Sequence, residues 1–199
     1  MTATAEQTVS ITVPRPVFDM HFACVKTATR YTCSGVLIQR KAGKCEAVAT
    51  NGYMLALMRW DDDTDKPDLS VIVEASDLKR VKVPRKLDGA RLDVEGLALE
   101  IKTDDTAMRC RAVDQDDYKF PPYGDVIPTY ADGDADNGAP SIGISPILLG
   151  STMAWMGKHL HSEDCGVWWR HQAANKPVIV KARAEAGEMM AVIMPVSLA

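Results

Sequence analysis

One order of elements repeats three times along the chain: a short apolar strand, a helix, and then a run of three strands. The three copies begin with SITV (10–13), SVIVEA (70–75) and SIGIS (141–145). The copies share this pattern and not their residues, so the repeat lies in structure rather than in sequence identity. The pattern predicts an α+β fold made of three βαβββ units.

Each first strand is followed by residues that open a helix. Proline, which suits a first helical turn, and serine, which suits an N-cap, stand at these points. We expect helices over about 14–28, 77–83 and 146–159, the second being stopped by Pro84. The expected strands that follow the helices are 33–40, 45–50, 53–60, 90–96, 97–103, 107–113, 166–172, 177–183 and 188–197.

Composition excludes some classes of protein. Although 46% of the residues are apolar, no apolar run approaches the ~18 residues of a membrane helix. The N-terminal MTATAEQTVS lacks the basic and apolar regions of an export signal, and the five cysteines follow no metal spacing. A cytoplasmic protein with free thiols is therefore expected. The net charge of −4 argues against a nucleic-acid coat over the whole surface, but it leaves room for one basic patch.

A hairpin signal lies at 48–59, VATNGYMLALMR. Asn51 and Gly52 separate two apolar runs, and both residues tolerate a positive φ, so a tight turn is predicted. Hairpin tips are normally polar. This one continues at once with Tyr53, Met54 and Leu55, which is unusual for a solvated turn.

Three motifs resemble one known family and stand in that family's order. VATNGYMLAL (48–57) resembles the ATDGHRLA stretch of the bacterial DNA polymerase III β sliding clamps, and FPPYGDVIP (120–128) resembles their FPDYxxVxP. AVIMPVSLA (191–199) resembles their YVVMPMRL terminus. Together with the βαβββ repeat, the motifs indicate a resemblance that covers essentially the whole chain from Val9.

The resemblance implies a DNA-clamp fold, with antiparallel sheets outside and helices lining the inner face. Residues 1–128 resemble the complete middle domain, 129–140 read as a linker, and 141–199 resemble the second half of the last domain. The family's first domain has no counterpart here. The chain thus looks like a shortened clamp, of the kind that a phage or mobile element would carry.

The implied function is that of a non-enzymatic processivity factor without a cofactor. Such a clamp encircles double-stranded DNA regardless of sequence and holds a replicative polymerase, other clamp-binding peptides and a clamp loader. Family rings contain twelve units, so three units per chain imply a homotetramer whose half domains pair between neighbours. The alternative is a clamp-like interaction protein that forms no ring and competes for clamp-binding peptides or blocks a host clamp.

DNA contact would be electrostatic, through the helices that line the ring. Five cations fall within DLKRVKVPRK (77–86) of an otherwise acidic chain, and the other two helices add four more. The alternative is a solvated helix end, where cations are favourable. The expected DNA-binding residues are Arg15, Lys26, Arg30, Lys79, Arg80, Lys82, Arg85, Lys86 and Lys158.

The resemblance also implies an apolar cleft for peptides, formed where the three motifs meet. Methionine suits such a site because its unbranched chain can repack around different peptides. Tyr53 and Met54 replace the family's His-Arg, so a more apolar pocket is expected. Apolar strand residues are also typical of an ordinary core, and that alternative stays open. The expected cleft residues are Thr50, Gly52, Tyr53, Met54, Leu55, Pro128, Ser145, Leu148, Val192, Met194, Pro195, Val196 and Leu198.

Signals for other chemistry are weak. The acidic runs 61–65 and 132–136 lack the glycine and the final glutamate of a calcium loop. His159, His161 and Cys165 have no fourth ligand nearby, so no metal site is expected. The chain contains no nucleophile elbow, phosphate loop or dinucleotide-binding motif, which argues against an enzyme.

Overall fold

The structure is a computed structural model that describes residues 8–25, 34–63, 65–116, 118–127, 144–160, 167–170 and 176–196. The predicted linker 129–140 and most of the strand expected at 141–145 lie outside these residues. The strands in chain order are β1 (Val9–Pro14), β2 (Gly35–Lys41), β3 (Lys44–Thr50), β4 (Met54–Asp61), β5 (Leu69–Glu74), β6 (Gly89–Glu95), β7 (Ala98–Lys102), β8 (Ala107–Arg111), β9 (Trp168–Arg170), β10 (Val178–Ala184) and β11 (Gly187–Ile193).

The strands form two antiparallel sheets. The four-stranded sheet has the order β1-β6-β7-β8, and the seven-stranded sheet has the order β5-β2-β3-β4-β11-β10-β9. The α+β class predicted from the sequence is confirmed. Each predicted run of three strands is present, with ends that differ by a few residues from the expected ones.

The first two units exchange their first strands. β1 leaves its own unit and pairs with β6 of the second unit, from Val9 opposite Val94 to Pro14 opposite Gly89. In return, β5 of the second unit pairs with β2 of the first. Because each sheet then contains strands from both units, neither unit can fold its sheet alone, and the two form one body.

The sheets of the third and first units are joined by one strand pair. β11 lies antiparallel to β4, from Glu188 opposite Arg59 to Ile193 opposite Met54. Six consecutive residue pairs make this contact, so the seven-stranded sheet runs without a break from one unit into the next. β4 is central in that sheet, and its residues 54–58 are buried on both faces, as is typical of a central strand.

The helices are α1 (Arg15–Phe18), α2 (Ala75–Arg80) and α3 (Pro146–His159), and a 3₁₀ turn occupies Met20–Ala23. The bounds predicted for α3 are confirmed. The helix predicted over 14–28 is shorter, because Asp19 N–H donates to Pro16 O at 3.2 Å and this i→i−3 bond ends the α-helix in a tighter turn.

The second helix also ends earlier than expected, at Arg80 instead of residue 83. Val81 has extended backbone angles, with φ −71° and ψ 127°. The two valines at 81 and 83 are β-branched and favour helix weakly, and Pro84 disfavours a helical conformation at Val83. The segment 81–87 therefore leaves the helix before the proline itself.

All helices pack on one face of the seven-stranded sheet, here called the inner face. Their buried residues, such as Phe18, Leu78 and Trp155, share the main core with every second residue of β4. Trp155 Nε1–H donates to Pro16 O at 3.0 Å and so ties α3 to α1.

The opposite face, here called the outer face, carries a second apolar cluster that includes Leu55, Leu57 and Val192. It is covered by the connector 113–127, through residues such as Phe120 and Tyr123. Within the described residues, no helix is long and apolar enough to span a membrane. The same residues contain no group of three or more His, Cys, Asp or Glu placed to hold a metal ion. Of the metal ligands considered in the sequence, His161 and Cys165 lie outside the described residues.

Candidate functional site

The turn after β3 is held by side-chain hydrogen bonds. Asn51 Oδ1 accepts the N–H groups of Tyr53 and Met54, both at 3.0 Å, and Thr50 Oγ1 donates to Met54 O at 2.8 Å. Gly52 has φ +86°, a value that side-chain-bearing residues rarely adopt. Asparagine and glycine thus fix a rigid turn, and this turn leaves the Tyr53 ring 71% exposed.

The end of the chain reaches the same place through the β4–β11 pair. Leu55 lies opposite Val192 on the outer face, and both side chains are buried. The pairing continues beyond β11, because Met194 N–H donates to Tyr53 O at 3.0 Å. This bond places Met194, which is 42% exposed, beside Tyr53 at the surface.

The connector supplies a third wall. Tyr123 is anchored on the outer face by hydrogen bonds with Glu46 and Gln39, and its ring packs edge-on against Phe120 at 6.0 Å between centroids. Burial raises the pKa of the Tyr123 hydroxyl, and the bond to Glu46 raises it further. The hydroxyl therefore stays protonated and keeps donating to the carboxylate.

These three elements enclose an apolar pocket of about 180 Å³. Ordinary small-molecule sites measure ~300–1,000 Å³. The volume therefore suits one or two apolar side chains rather than a whole metabolite. The pocket is lined by Thr50, Gly52, Tyr53, Met54, Leu55, Pro121, Pro122, Tyr123, Val126, Val192 and Met194.

The structure brings seven of the thirteen expected cleft residues to this pocket: Thr50, Gly52, Tyr53, Met54, Leu55, Val192 and Met194. Pro195 and Val196 follow the last hydrogen bond of the ladder and do not line it. Pro128 and Leu198 lie outside the described residues.

Ser145 and Leu148 are not among the residues that line this pocket. Ser145 immediately precedes α3, and Leu148, in the first turn of that helix, packs against the main core. Their part in the cleft stays a prediction.

Sequence reasoning missed four lining residues, Pro121, Pro122, Tyr123 and Val126. They all belong to the FPPYGDVIP motif that carries the resemblance, from which only Pro128 was selected. The two consecutive prolines and the tyrosine were the available signal, since a proline pair stiffens a connector and a tyrosine can bury its ring while keeping a polar contact.

A larger depression of about 1190 Å³ lies at the opposite end of β3 and β4, but it is open and lined mainly by charged residues. Several of these charges already have partners within the protein. Lys44 pairs with Asp61 at 2.8 Å, and Arg59 pairs with Glu46 at 3.4 Å. Because its charges are paired and solvated, this depression offers less to a ligand than the apolar pocket does.

The expected DNA-binding cations form a surface on the helical side. Lys79 and Arg80 end α2, and Lys82, Arg85 and Lys86 follow in the segment after it; all five are exposed. Arg80 also contacts Asp77 at 3.4 Å. These cations are therefore available to an anion, though only two of them stand on a helix.

His21, which the sequence reasoning did not select, shows that the surface is shared between units. Burial lowers its pKa, Asp19 raises it, and repulsion from Lys79, Lys158 and Lys82 lowers it further. The histidine belongs to the first unit and the lysines to the second and third. Lysines of the second and third units thus lie close enough to influence a histidine of the first.

The other expected cations are less accessible. Arg15 is only 8% exposed, so the expectation that it contacts phosphate is not supported by its burial. Lys158 is half exposed and pairs with Asp19 at 2.6 Å. Lys26 and Arg30 lie outside the described residues.

Asp19 joins the first unit to α3. Its second oxygen lies 2.9 Å from Nε2 of His159, a residue that is 3% exposed. Although partial burial acts in the opposite direction, hydrogen bonds from His159 and Lys158 hold the pKa of Asp19 at about 2. The carboxylate is therefore ionised throughout the physiological range.

Comparisons with known proteins agree with this architecture. No protein-family model matches the chain, and no curated protein matches it. Among solved structures, the DNA polymerase III β subunit of Thermotoga maritima is 15% identical with a TM-score of 0.62, over 100% of this chain and 68% of that one.

The β subunit of Pseudomonas aeruginosa is also 15% identical, with a TM-score of 0.64, over 99% of this chain and 69% of that one. The β chain of Streptococcus pneumoniae is 11% identical with a TM-score of 0.62, over 99% of this chain and 66% of that one. At such low identity these similarities establish the fold: the chain has the fold of the bacterial β sliding clamps in about two thirds of their length.

Proposed function

We propose that the protein is a DNA sliding clamp, a non-enzymatic processivity factor that surrounds duplex DNA and holds a replicative polymerase. The observation that carries this proposal is the architecture: sheets joined edge to edge from one unit to the next, with the three α-helices of the described residues on one side. Such a chain of units can extend into a curved wall whose helical side faces the DNA. The similarity to bacterial β clamps over the whole chain supports this proposal.

On the DNA side, the cations of the second and third units act as a sequence-independent contact. Lys79 and Lys82 from the second unit and Lys158 from the third each lower the pKa of His21 of the first unit by repulsion. Contacts of this kind bind phosphates and release counterions, so they carry affinity without reading bases. A surface of this type lets the protein slide. The net charge of −4 leaves the remaining surface acidic and unattractive to DNA.

On the outer face, the apolar pocket holds peptides of the polymerase and of other partners. Tyr53 and Met194 stand exposed at its rim, while Leu55 and Val192 form a buried floor. An apolar peptide anchor that enters this space excludes water from both kinds of residue and gains most of the binding free energy there. The rigid turn at Asn51 and Gly52 limits the entropy that docking costs.

The complete assembly is a ring of four copies. Family rings have twelve units, and each chain contributes three. The test is retention on DNA: protein assembled from dilute subunits in the presence of circular plasmid should stay bound through a high-salt wash. Cutting the plasmid once should release it. Equal retention on linear and circular DNA contradicts encirclement.

The second candidate is an interaction protein that keeps the pocket but forms no ring. It is favoured by one observation: β4, β11 and the connector complete the pocket within one chain, so peptide binding does not require a ring. Such a protein would compete for clamp-binding peptides or block a host clamp. It would bind peptides with normal affinity and show no difference between circular and linear DNA.

A further inference from the structure

The structure contains two surfaces that its own internal repeat predicts to be covered. One is the free edge of β8 (Ala107–Arg111), which ends the four-stranded sheet within the described residues. Beyond this edge, the next residue, Ala112, forms a single bridge to Val73 of β5. β8 occupies the same position in the second unit as β11 does in the third, and β11 is covered by β4. An exposed strand edge is a template for pairing with another chain.

The other surface is the solvent-facing side of α3. Its residues Ile147, Gly150, Ala154 and Gly157 are all exposed, and Ile147 is exposed at 77%. The opposite side of the helix, with Thr152, Met156 and His159, is buried against the rest of the chain. A helix that is apolar on all sides is normally covered on all sides.

The first and second units together show what covers such a helix. There, α2 of the second unit lies against the 3₁₀ turn Met20–Ala23 of the first. In the third unit, the buried side of α3 packs against the first unit through Trp155, whose ring lies 5.6 Å from that of Phe22. The exposed side of α3 has no companion within the part of the chain that the structure describes. A side chain added at Gly150 or Gly157 would meet nothing within 4 Å, so the space in front of this side of the helix is open. Because Gly150, Ala154 and Gly157 are small, a second helix could approach the backbone of α3 closely there.

The chemistry of this side of α3 favours protein over DNA. The four residues of this stripe are uncharged, and Lys158, an exposed cation of the same helix, is already paired with Asp19. A surface for phosphate would present free lysines or arginines, as the segment after α2 does. The apolar stripe is therefore a packing surface.

The direction of the units decides how a second copy must approach. β4 and β11 are equivalent strands of their units, yet they pair antiparallel, so the first and third units are related by an approximate two-fold axis. The exchange of β1 and β5 relates the first and second units in the same way. In space the first unit lies between the other two. Consequently the second and third units, at the two ends of this row, point in one direction, opposite to the first.

We propose that the exposed side of α3 (Ile147, Gly150, Ala154 and Gly157) packs against the same side of α3 in a second copy of this chain, and that β8 pairs with β8 of another copy. This proposal rests on the proposed ring. In a ring of alternating units, each end unit of one chain must meet a neighbour that points in the opposite direction. Since both end units of this chain point the same way, a neighbouring copy meets this requirement only when it is turned over. Both interfaces are then two-fold symmetric, with identical surfaces meeting.

The consequence for function is a ring without polarity. A two-fold axis between ring neighbours turns one face of the ring into the other. The four peptide pockets therefore lie two on each face, whereas repetition of a single head-to-tail contact would place all four on one face. A partner can dock from either side of the ring.

Two variants separate the interfaces. Ala154→Arg places a charged side chain in the middle of the α3 surface. Arg109→Pro acts on the free edge of β8. Ala112 N–H donates to Leu97 O, just before β7, at 2.8 Å. N–H groups alternate in direction along an antiparallel strand, so Arg109 N–H, three residues earlier, points away from β7. Proline there removes an edge donor and no bond to β7.

Two controls match these variants. Arg109→Ala removes the same side chain, including its pairing with Glu100 at 3.1 Å, but keeps the N–H group. Glu95→Arg introduces an arginine at an exposed position of β6 away from both surfaces. Far-UV circular dichroism and thermal unfolding establish that each variant is folded.

Sedimentation velocity gives the mass of each folded variant. We expect four copies for the wild type and both controls, two copies for each single variant, and one copy for Ala154→Arg with Arg109→Pro. If each single variant instead gives monomers, the ring repeats one head-to-tail contact and the two-fold arrangement is wrong, although the ring stands. If the wild type is a dimer and Ala154→Arg converts it to a monomer, the α3 interface is supported and the four-copy ring is wrong.

Discussion

Tyr53 offers the most direct test of the pocket, because its side chain is available to a ligand without supporting the fold. A tyrosine side chain buries ~150–250 Å² when fully covered. At 71% exposure, most of that area is still open to solvent in the free protein. If a docked peptide covers about half of the open area, ~70 Å² leaves water, which corresponds to about 1–2 kcal/mol.

Tyr53→Ala is therefore expected to weaken peptide binding about 10-fold. The assay is fluorescence anisotropy with a labelled hexapeptide that carries adjacent leucine and phenylalanine anchors, with the unlabelled peptide as competitor. The thermal unfolding midpoint should change little, since the ring lies at the surface.

Tyr118→Ala is the matched control. Tyr118 is also an exposed aromatic residue, 43% accessible, and it lies in the same connector but outside the pocket. Its removal should leave the dissociation constant unchanged. The reasoning is refuted if Tyr53→Ala binds the peptide as tightly as the wild type, or if both variants lose affinity equally.

Three further predictions concern the DNA surface, the unit junction and the pocket floor. Replacing Lys79 and Lys82 with Glu should make the salt dependence of DNA binding shallower. The slope of the logarithm of the DNA association constant against the logarithm of salt concentration should fall in magnitude by about 2, at ~0.9 for each phosphate that is no longer neutralised, as filter binding can measure. Lys41→Glu, which changes an exposed lysine of β2, should leave this slope intact. Asp19→Asn should lower the free energy of unfolding by about 1–2 kcal/mol at pH 7. Because the folded pKa of Asp19 is about 2 against 3.8, its contribution is complete above pH 4 and lost as the pH falls toward 2, so urea titrations of wild type and variant should converge there; a constant difference contradicts this. Leu55→Ala should cost ~2–5 kcal/mol of stability, since the side chain is buried; a small loss in urea titration would mean that the floor of the pocket collapses around the vacancy.

Local signals in the sequence predicted a helix well where residues typical of a helix end marked its start. Ser145 followed by Pro146 marked the start of α3, and its bounds agree with the structure. The first helix was overextended because proline indicates where a helix begins, but nothing local indicated the i→i−3 bond at Asp19 that ends it. Helix ends depend on such single bonds, which periodicity does not detect.

Long-range pairing was beyond the reach of these signals. The exchange of β1 and β5 and the pairing of β4 with β11 join residues far apart in sequence. Alternation shows that a strand has two faces but not which face meets the helices, since a two-residue period is the same from either side. Leu148 of α3 was assigned to the cleft only through the resemblance, and the structure packs it against the main core.

The pocket itself was anticipated only through the resemblance. The alternation of β4 is equally consistent with a buried core strand, and Leu55 and Val192 are in fact buried. What distinguishes the site is the end of the ladder, where Met194 and Tyr53 emerge together. The covering wall from Pro121 to Val126 depends on how the connector folds back over the sheet, which is a tertiary property.

The solution mass of the unmodified protein tests the central claim most directly. A ring of three-unit chains requires four copies, each of 21.7 kDa. Multi-angle light scattering at micromolar concentration should therefore give about four times the mass of one chain. A stable monomer at that concentration would contradict the ring and, with it, the encirclement of DNA.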